Sequence, residues 1–167
     1  MNVWYLITLL GDPWIWSILT PVLVVVYVLM RKRISHEARG RLKAFVFVFA
    51  VSVWLTLGTV FLIKNLTNIE RPCVPCSSDV IDCNPYCLAD NSFPSGHSAL
   101  MFAVFSSVYI CFRKKWLTPL FLIPFMVSVS RYFLVVHHMM DIVAGTVIGV
   151  LIPIAALSLY EKKFQAL

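Results

Sequence analysis

Apolar positions gather in long runs from which Asp, Glu, Lys and Arg are nearly absent. Five such runs stand out, at 13–30, 44–63, 94–112, 116–136 and 142–160. About 20 helical residues, each rising about 1.5 Å, cross roughly 30 Å of hydrocarbon, so each run has about the length of one bilayer crossing. The pattern predicts an all-α, polytopic transmembrane bundle of about five helices. Pro21 places a kink in the first run, and Arg131 is a lone charge near the end of the fourth. Residues 1–10 are apolar but too short to span alone, so they lie in the interface or extend the first helix. No positive region precedes them, and a cleaved signal peptide is not expected. No linker, repeat or low-complexity tract divides the chain, which reads as one integral-membrane domain over 1–167.

Composition agrees with a chain whose solvent is mostly lipid. Of 167 residues, 60% are apolar and 13% charged, with a mean hydropathy of +0.85. These values exclude a disordered tail, a coiled coil and an ordinary cytosolic enzyme. The net charge of +6 would suit a nucleic-acid binder, but in so apolar a chain it reflects the positive-inside bias of membrane proteins, and no nucleic-acid partner is expected. Arg31, Lys32, Arg33, Arg39, Arg41, Lys43, Arg113, Lys114, Lys115, Lys162 and Lys163 supply eleven of the fourteen cations. With five crossings all of them share one side, the cytoplasm, together with the C-terminus. Lys64, Arg71 and Arg131 are left outside, with the acids Asp12, Glu70, Asp79, Asp82, Asp90 and Asp141.

Cys73, Cys76, Cys83 and Cys87 crowd one outer loop, and Cys111 stands alone near the cytoplasmic end of the third run. Four cysteines in an oxidising compartment predict two disulfides, with three possible pairings; a zinc site is the rival reading. Gly145 and Gly149 form a GxxxG suited to close helix packing inside the bundle. Trp4, Trp14, Trp16, Trp116 and Tyr160 have the positions of interfacial anchors.

The candidate chemistry gathers at the outer ends of the runs. Lys64 closes the second, Arg71 follows, Ser95, Gly96 and His97 open the third, Arg131 closes the fourth, and His137 and Asp141 lead into the fifth. Three cations without matching acids call for an anion, and a phosphate suits two guanidinium forks and one ammonium. The N–H groups of Ser95 and Gly96, expected to be free at a helix start, add to the cradle. His137 and Asp141 are four apart, so on a helix they share a face; the carboxylate accepts Nδ1–H and leaves the Nε2 lone pair as a nucleophile. His138, three residues before Asp141, satisfies the same geometry. His97 can supply the proton that a departing oxygen needs. A metal held by His97, His137 and Asp141 is disfavoured by the three cations.

These residues resemble the type 2 phosphatidic acid phosphatase superfamily, whose membrane members are lipid phosphate phosphatases. Lys64-x6-Arg71-Pro72, Pro94-Ser95-Gly96-His97 and Ser130-Arg131-x5-His137-x3-Asp141 match its three-part pattern at eleven specified positions in order. The resemblance implies phosphate binding by Lys64, Arg71 and Arg131 with help from Ser95 and Gly96. It makes His137, rather than His138, the nucleophile of a phosphohistidine intermediate, with Asp141 as its orienting partner and His97 as acid and then base. It implies no cofactor and no divalent metal. Larger members have six membrane helices against the five counted here, so an N-terminal element is either missing or reduced to residues 1–10. The cysteine loop is not part of the family pattern. The expected activity is removal of phosphate from a lipid at the extracytoplasmic face of the plasma membrane, with an isoprenoid diphosphate favoured over phosphatidate or phosphatidylglycerophosphate. A non-catalytic binder or transporter of phosphorylated lipid is the alternative of another class; vanadate-dependent halide oxidation, known in soluble members, is disfavoured by the spans.

Overall fold

The computed structural model describes residues 2–76 and 82–164; Asp79 lies outside the described residues. Among the described residues six helices follow one another: α1 (Val3–Leu9), α2 (Pro13–Met30), α3 (His36–Thr67), α4 (Gly96–Phe112), α5 (Leu122–Phe133) and α6 (Met139–Phe164), with a 3₁₀ stretch at Lys115–Phe121 leading into α5. Four segments among the described residues are long and apolar enough to cross a membrane: Val3–Met30, His36–Thr67, Lys115–Phe133 and Met139–Lys163. The 17 residues of α4 make a shorter apolar rod of about 25 Å.

The helices depart from the hydrophobic runs where local chemistry intervenes. At 32 residues, α3 is about 48 Å long and extends well beyond 44–63. Its charged first turns are helical because Ser35 Oγ accepts the Ala38 N–H and Glu37 pairs with Arg41 at 2.8 Å. The run 116–136 is not one helix. Pro119 has no N–H to donate and confines the first part to 3₁₀ geometry, while Pro124 sits in the first turn of α5, where a missing donor is tolerated. Helix α2 runs on through Pro21. Residues 3–9 form a separate helix, capped by Asn2 and parted from α2 by the Gly11–Asp12–Pro13 turn, in which Asp12 caps α2 at the Trp14 N–H.

At the centre is α4, with Ala99, Leu100, Met101, Ala103 and Val104 buried among α3, α5 and α6. The GxxxG of α6 lies flat on it: a Cβ at Gly145 would strike the Ser95 carbonyl, and one at Gly149 the Ala99 carbonyl. Small residues thus serve internal packing, as expected, and draw the first turns of α4 and α6 together. Among the expected interfacial aromatics, Trp14 and Trp116 face outward. Trp4 instead stacks on Phe133, Trp16 packs on Phe49, and Tyr160 is buried against Phe47. Arg41, Cys111, Arg113 and Glu161 line one cavity, so the cationic ends of α3, α4 and α6 meet at the end of the bundle opposite the candidate site.

Candidate active site

Lys64 stands in the last turn of α3, Ser95 caps α4, Arg131 is in the last turn of α5 and Asp141 in the first turn of α6. Alternating helix direction therefore delivers all of them to one end of the bundle.

The α5–α6 connection sets the imidazole. Val135 adopts φ 55, a left-handed conformation that is unfavourable for a β-branched side chain. The turn presents the Val136 carbonyl to Arg71 Nη1 at 2.7 Å and carries His137 inward, where it is 3% exposed. A shared helical face is not what joins His137 to Asp141, because α6 begins at Met139 and His137 precedes it. Asp141 instead caps the helix start: its Oδ2 accepts the His138 N–H at 2.8 Å and meets His137 Nδ1 at 3.3 Å. His138 contributes that backbone group, while its side chain is exposed.

Arg71 Nη1 also lies 3.2 Å from His137 Nε2. A guanidinium only donates, so Nε2 must accept, and the ring proton resides on Nδ1 facing the carboxylate. Burial pushes the His137 pKa down to about 4; Asp141 opposes the shift, and the charges of Arg71, Arg131 and Lys64 add to it. The ring is neutral at pH 7, with its Nε2 lone pair within the field of all three cations.

The cations are not without acids, contrary to the expectation from sequence. Asp90 bridges two of them, with Lys64 Nζ at 2.9 Å and Arg71 Nη2 at 2.6 Å. Arg71 Nε donates to the same carboxylate at 3.0 Å, and Lys64 Nζ also donates to the Asn91 carbonyl. Burial acts to raise the Asp90 pKa, but the hydrogen bonds from Lys64 and Arg71 outweigh it and hold the carboxyl below its usual range. Arg131 is held apart from this cluster. Its Nη1 donates to Thr8 Oγ1 at 2.9 Å, whereas its Nε is buried with no partner among the described residues. Arg131 is 4% exposed, so an unpaired donor there is unfavourable until an acceptor arrives.

Ser95 is placed differently from expectation. Its N–H is taken by the Asp141 carbonyl at 2.9 Å, and its hydroxyl is engaged by Ser98 Oγ at 3.1 Å. Ser95 therefore ties α4 to α6, and any main-chain donors for an anion come from Gly96 and His97, whose first-turn N–H groups have no intrahelical acceptor. His97 lines a cavity of about 470 Å³ with Arg131, Thr8, Asp12 and Tyr86.

The loop is braced by nested disulfides, Cys73–Cys87 and Cys76–Cys83. All four cysteines are thereby used, which removes the zinc reading. Asn84 Nδ2 docks the loop on the Leu134 carbonyl at 2.7 Å, and Tyr86 meets the ring of Tyr5. Helix α1 is thus a wall of the site, through Tyr5, Thr8 and Leu9. Gly11 continues that wall, since a Cβ there would stand 3.1 Å from His97 Cδ2 and 2.8 Å from Val127 Cγ1. Sequence spacing carries no signal for Asp90, Thr8 or Gly11, because each acts through a partner remote in the chain.

A helical membrane protein with an imidazole–carboxylate pair facing a cationic pocket belongs to a class built to handle a phosphate-like anion. Residues 41–165 match the PAP2 superfamily, and the chain belongs to it. The bacitracin transport permease protein BcrC of Bacillus licheniformis is 34% identical over 90 residues, which cover 46% of this chain and 43% of that protein. The match thus spans less than half of that relative. The transmembrane PAP2 type phosphatidylglycerolphosphate phosphatase of Bacillus subtilis shares the fold, with a TM-score of 0.65 at 24% identity, covering 96% of this chain and 76% of that one.

Proposed function

We propose that the protein is a lipid phosphatase that works through a phosphohistidine, with an isoprenoid diphosphate as favoured substrate. One observation carries the reading: the neutral imidazole of His137 is held by Asp141 with its Nε2 lone pair 3.2 Å from Arg71 Nη1. The substrate phosphate takes the Arg71 Nη1 donor onto its oxygens and frees the Nε2 lone pair; His137 Nε2 then attacks phosphorus, the bond to the leaving oxygen breaks, and His97 donates the proton that oxygen needs. Water then attacks phosphorus and gives a proton to His97, the phosphorus–nitrogen bond breaks with the His137 imidazole as leaving group, and inorganic phosphate is released. Lys64, Arg71 and Arg131 stabilise charge on the equatorial oxygens, the Gly96 N–H adds a donor, and no metal ion is required. Arg131 Nε, buried and without a partner among the described residues, is the donor that a phosphate oxygen would satisfy.

A diphosphate is favoured because the three cations exceed the one carboxylate, Asp90, that bridges two of them, and a diphosphate brings more negative charge to that excess than a monoester does. Phosphatidylglycerophosphate or phosphatidate is the alternative, supported by the activity named for the structural neighbour. Segregation of the cationic links from the site supports a plasma-membrane protein with an extracytoplasmic site and a cytoplasmic C-terminus. A transport function rests on the name of the B. licheniformis relative alone.

The deciding assay measures phosphate released by purified protein from a polyprenyl diphosphate, phosphatidate and phosphatidylglycerophosphate. Release should vanish in His137→Ala and persist in His138→Ala. Undiminished release by His137→Ala would overturn the mechanism, and absence of release from every substrate would favour binding or transport.

A further inference from the structure

Beside the site, α5 packs mainly on α1 and α4 and leaves a gap towards α6. The gap is a groove of about 540 Å³ lined by apolar side chains that include Phe102, Phe125, Val129, Ile142, Val143 and Val147. Above it lies a smaller cleft of about 340 Å³ whose walls include Pro72, His137 and His138. Tyr132, Phe133 and Met139 line both spaces. The two spaces therefore adjoin at the start of α6, the smaller one reaching the candidate nucleophile and the larger one following the helix away from it.

We infer that this groove between α5 and α6 binds the hydrocarbon chain of the substrate; the inference rests on the lipid-phosphatase reading. Depth supports that occupant. Val147 lies eight residues beyond Met139 on α6, about 12 Å along the helix axis. Half of a hydrocarbon core of about 30 Å is about 15 Å, so the groove has the reach of one leaflet, beginning at the level of the reacting phosphorus. A lipid whose phosphate meets His137 can lay its chain in the groove without leaving its leaflet. The cavity on the other side of the site, walled by Asp12, Thr8, His97 and Arg131, carries polar and charged groups suited to phosphate and water. Transfer of a chain from bilayer to groove changes its apolar surroundings little. Selectivity must then come from shape, and a bulky side chain in the groove should exclude long chains more than short ones.

The test compares kcat/KM for a long-chain polyprenyl diphosphate with that for a five-carbon prenyl diphosphate. The long-to-short ratio should fall at least tenfold in Val143→Trp and in Val147→Trp, and stay within twofold of wild type in Val25→Trp on the exposed face of α2. An unchanged ratio in both groove variants, or an equal fall in Leu9→Trp on the opposite cavity, would overturn the groove. A second measurement does not depend on folding of the variants or on turnover. A phosphonate analogue with a diazirine at its chain end should label α5 or α6 between Phe125 and Val147 in the wild-type protein, whereas labelling of α1 or the disulfide loop would refute the assignment. Wild-type protein that releases no phosphate from either substrate defeats the phosphatase reading, while the labelling pattern still decides where the chain lies.

Discussion

Lowering the pH should leave His137 neutral long after an ordinary histidine has charged. A free imidazole is half protonated near pH 6.5, whereas burial among three cations lowers the midpoint of His137 to about 4. With the ring 3% exposed, the difference corresponds to about 3 kcal/mol in favour of the neutral form. At pH 5.5 about nine in ten free histidines carry a proton, against about three in a hundred His137 rings. Because the folded pKa lies below the unfolded one, the unfolded chain takes up the proton first. This stabilisation is therefore complete above about pH 6.5 and is lost as pH falls towards 4. Carbon-13 NMR of histidine-labelled protein in detergent, with His36→Gln and His138→Gln to simplify the spectrum, reads the midpoint directly. Arg71→Ala removes the cation 3.2 Å from Nε2 and should raise it towards 6.5, while Asp141→Asn removes the group that favours the charged ring and should lower it further. A midpoint near 6.5 in the wild-type protein, or a fall in Arg71→Ala, would refute the burial and the geometry together.

Other perturbations test the supports of the site. Asp90→Ala leaves the Nε–Nη2 edge of Arg71, whose side chain is 4% exposed, without its carboxylate; since Asp90 is itself half exposed, water compensates in part and the loss is about 1–2 kcal/mol. Phosphate release should slow by about tenfold or more as Nη1 loses its aim at His137, with partial recovery in Asp90→Glu, and an unaltered kcat would remove Asp90 from the machinery. Gly149→Ala improves helix propensity by about 1 kcal/mol, yet its Cβ meets the Ala99 carbonyl, so thermal unfolding in detergent should show a net loss of about 1–3 kcal/mol; a gain would deny the close crossing. Val135→Gly relieves a left-handed valine that is 54% exposed and should raise stability by about 0.5–1 kcal/mol after the entropy of glycine is counted, whereas a loss would show that the conformation is unstrained.

The helices were legible because lipid imposes length and polarity on each crossing, and GxxxG was legible because a four-residue spacing on one helix is a local property. Where Pro119 removes a donor, the hydrophobic run overstates the α-helix, since hydropathy does not register hydrogen bonding. His137 and Asp141 do pair, but not across a helical face: a spacing of four fits such a face, and it equally fits a carboxylate in the first turn of a helix that reaches back to a residue preceding the helix. Spacing therefore narrows the chemistry without fixing where a ring nitrogen points. That direction comes from Arg71, sixty-six residues away in the chain, whose own aim is held by Asp90 and the Val136 carbonyl. Both contacts depend on how α3, the disulfide-braced loop and the α5–α6 turn converge, and no local pattern records them. The choice between His137 and His138, equal by helical spacing, is for this reason a tertiary property: one ring is buried against a guanidinium, while its neighbour lends only a backbone N–H to the same carboxylate.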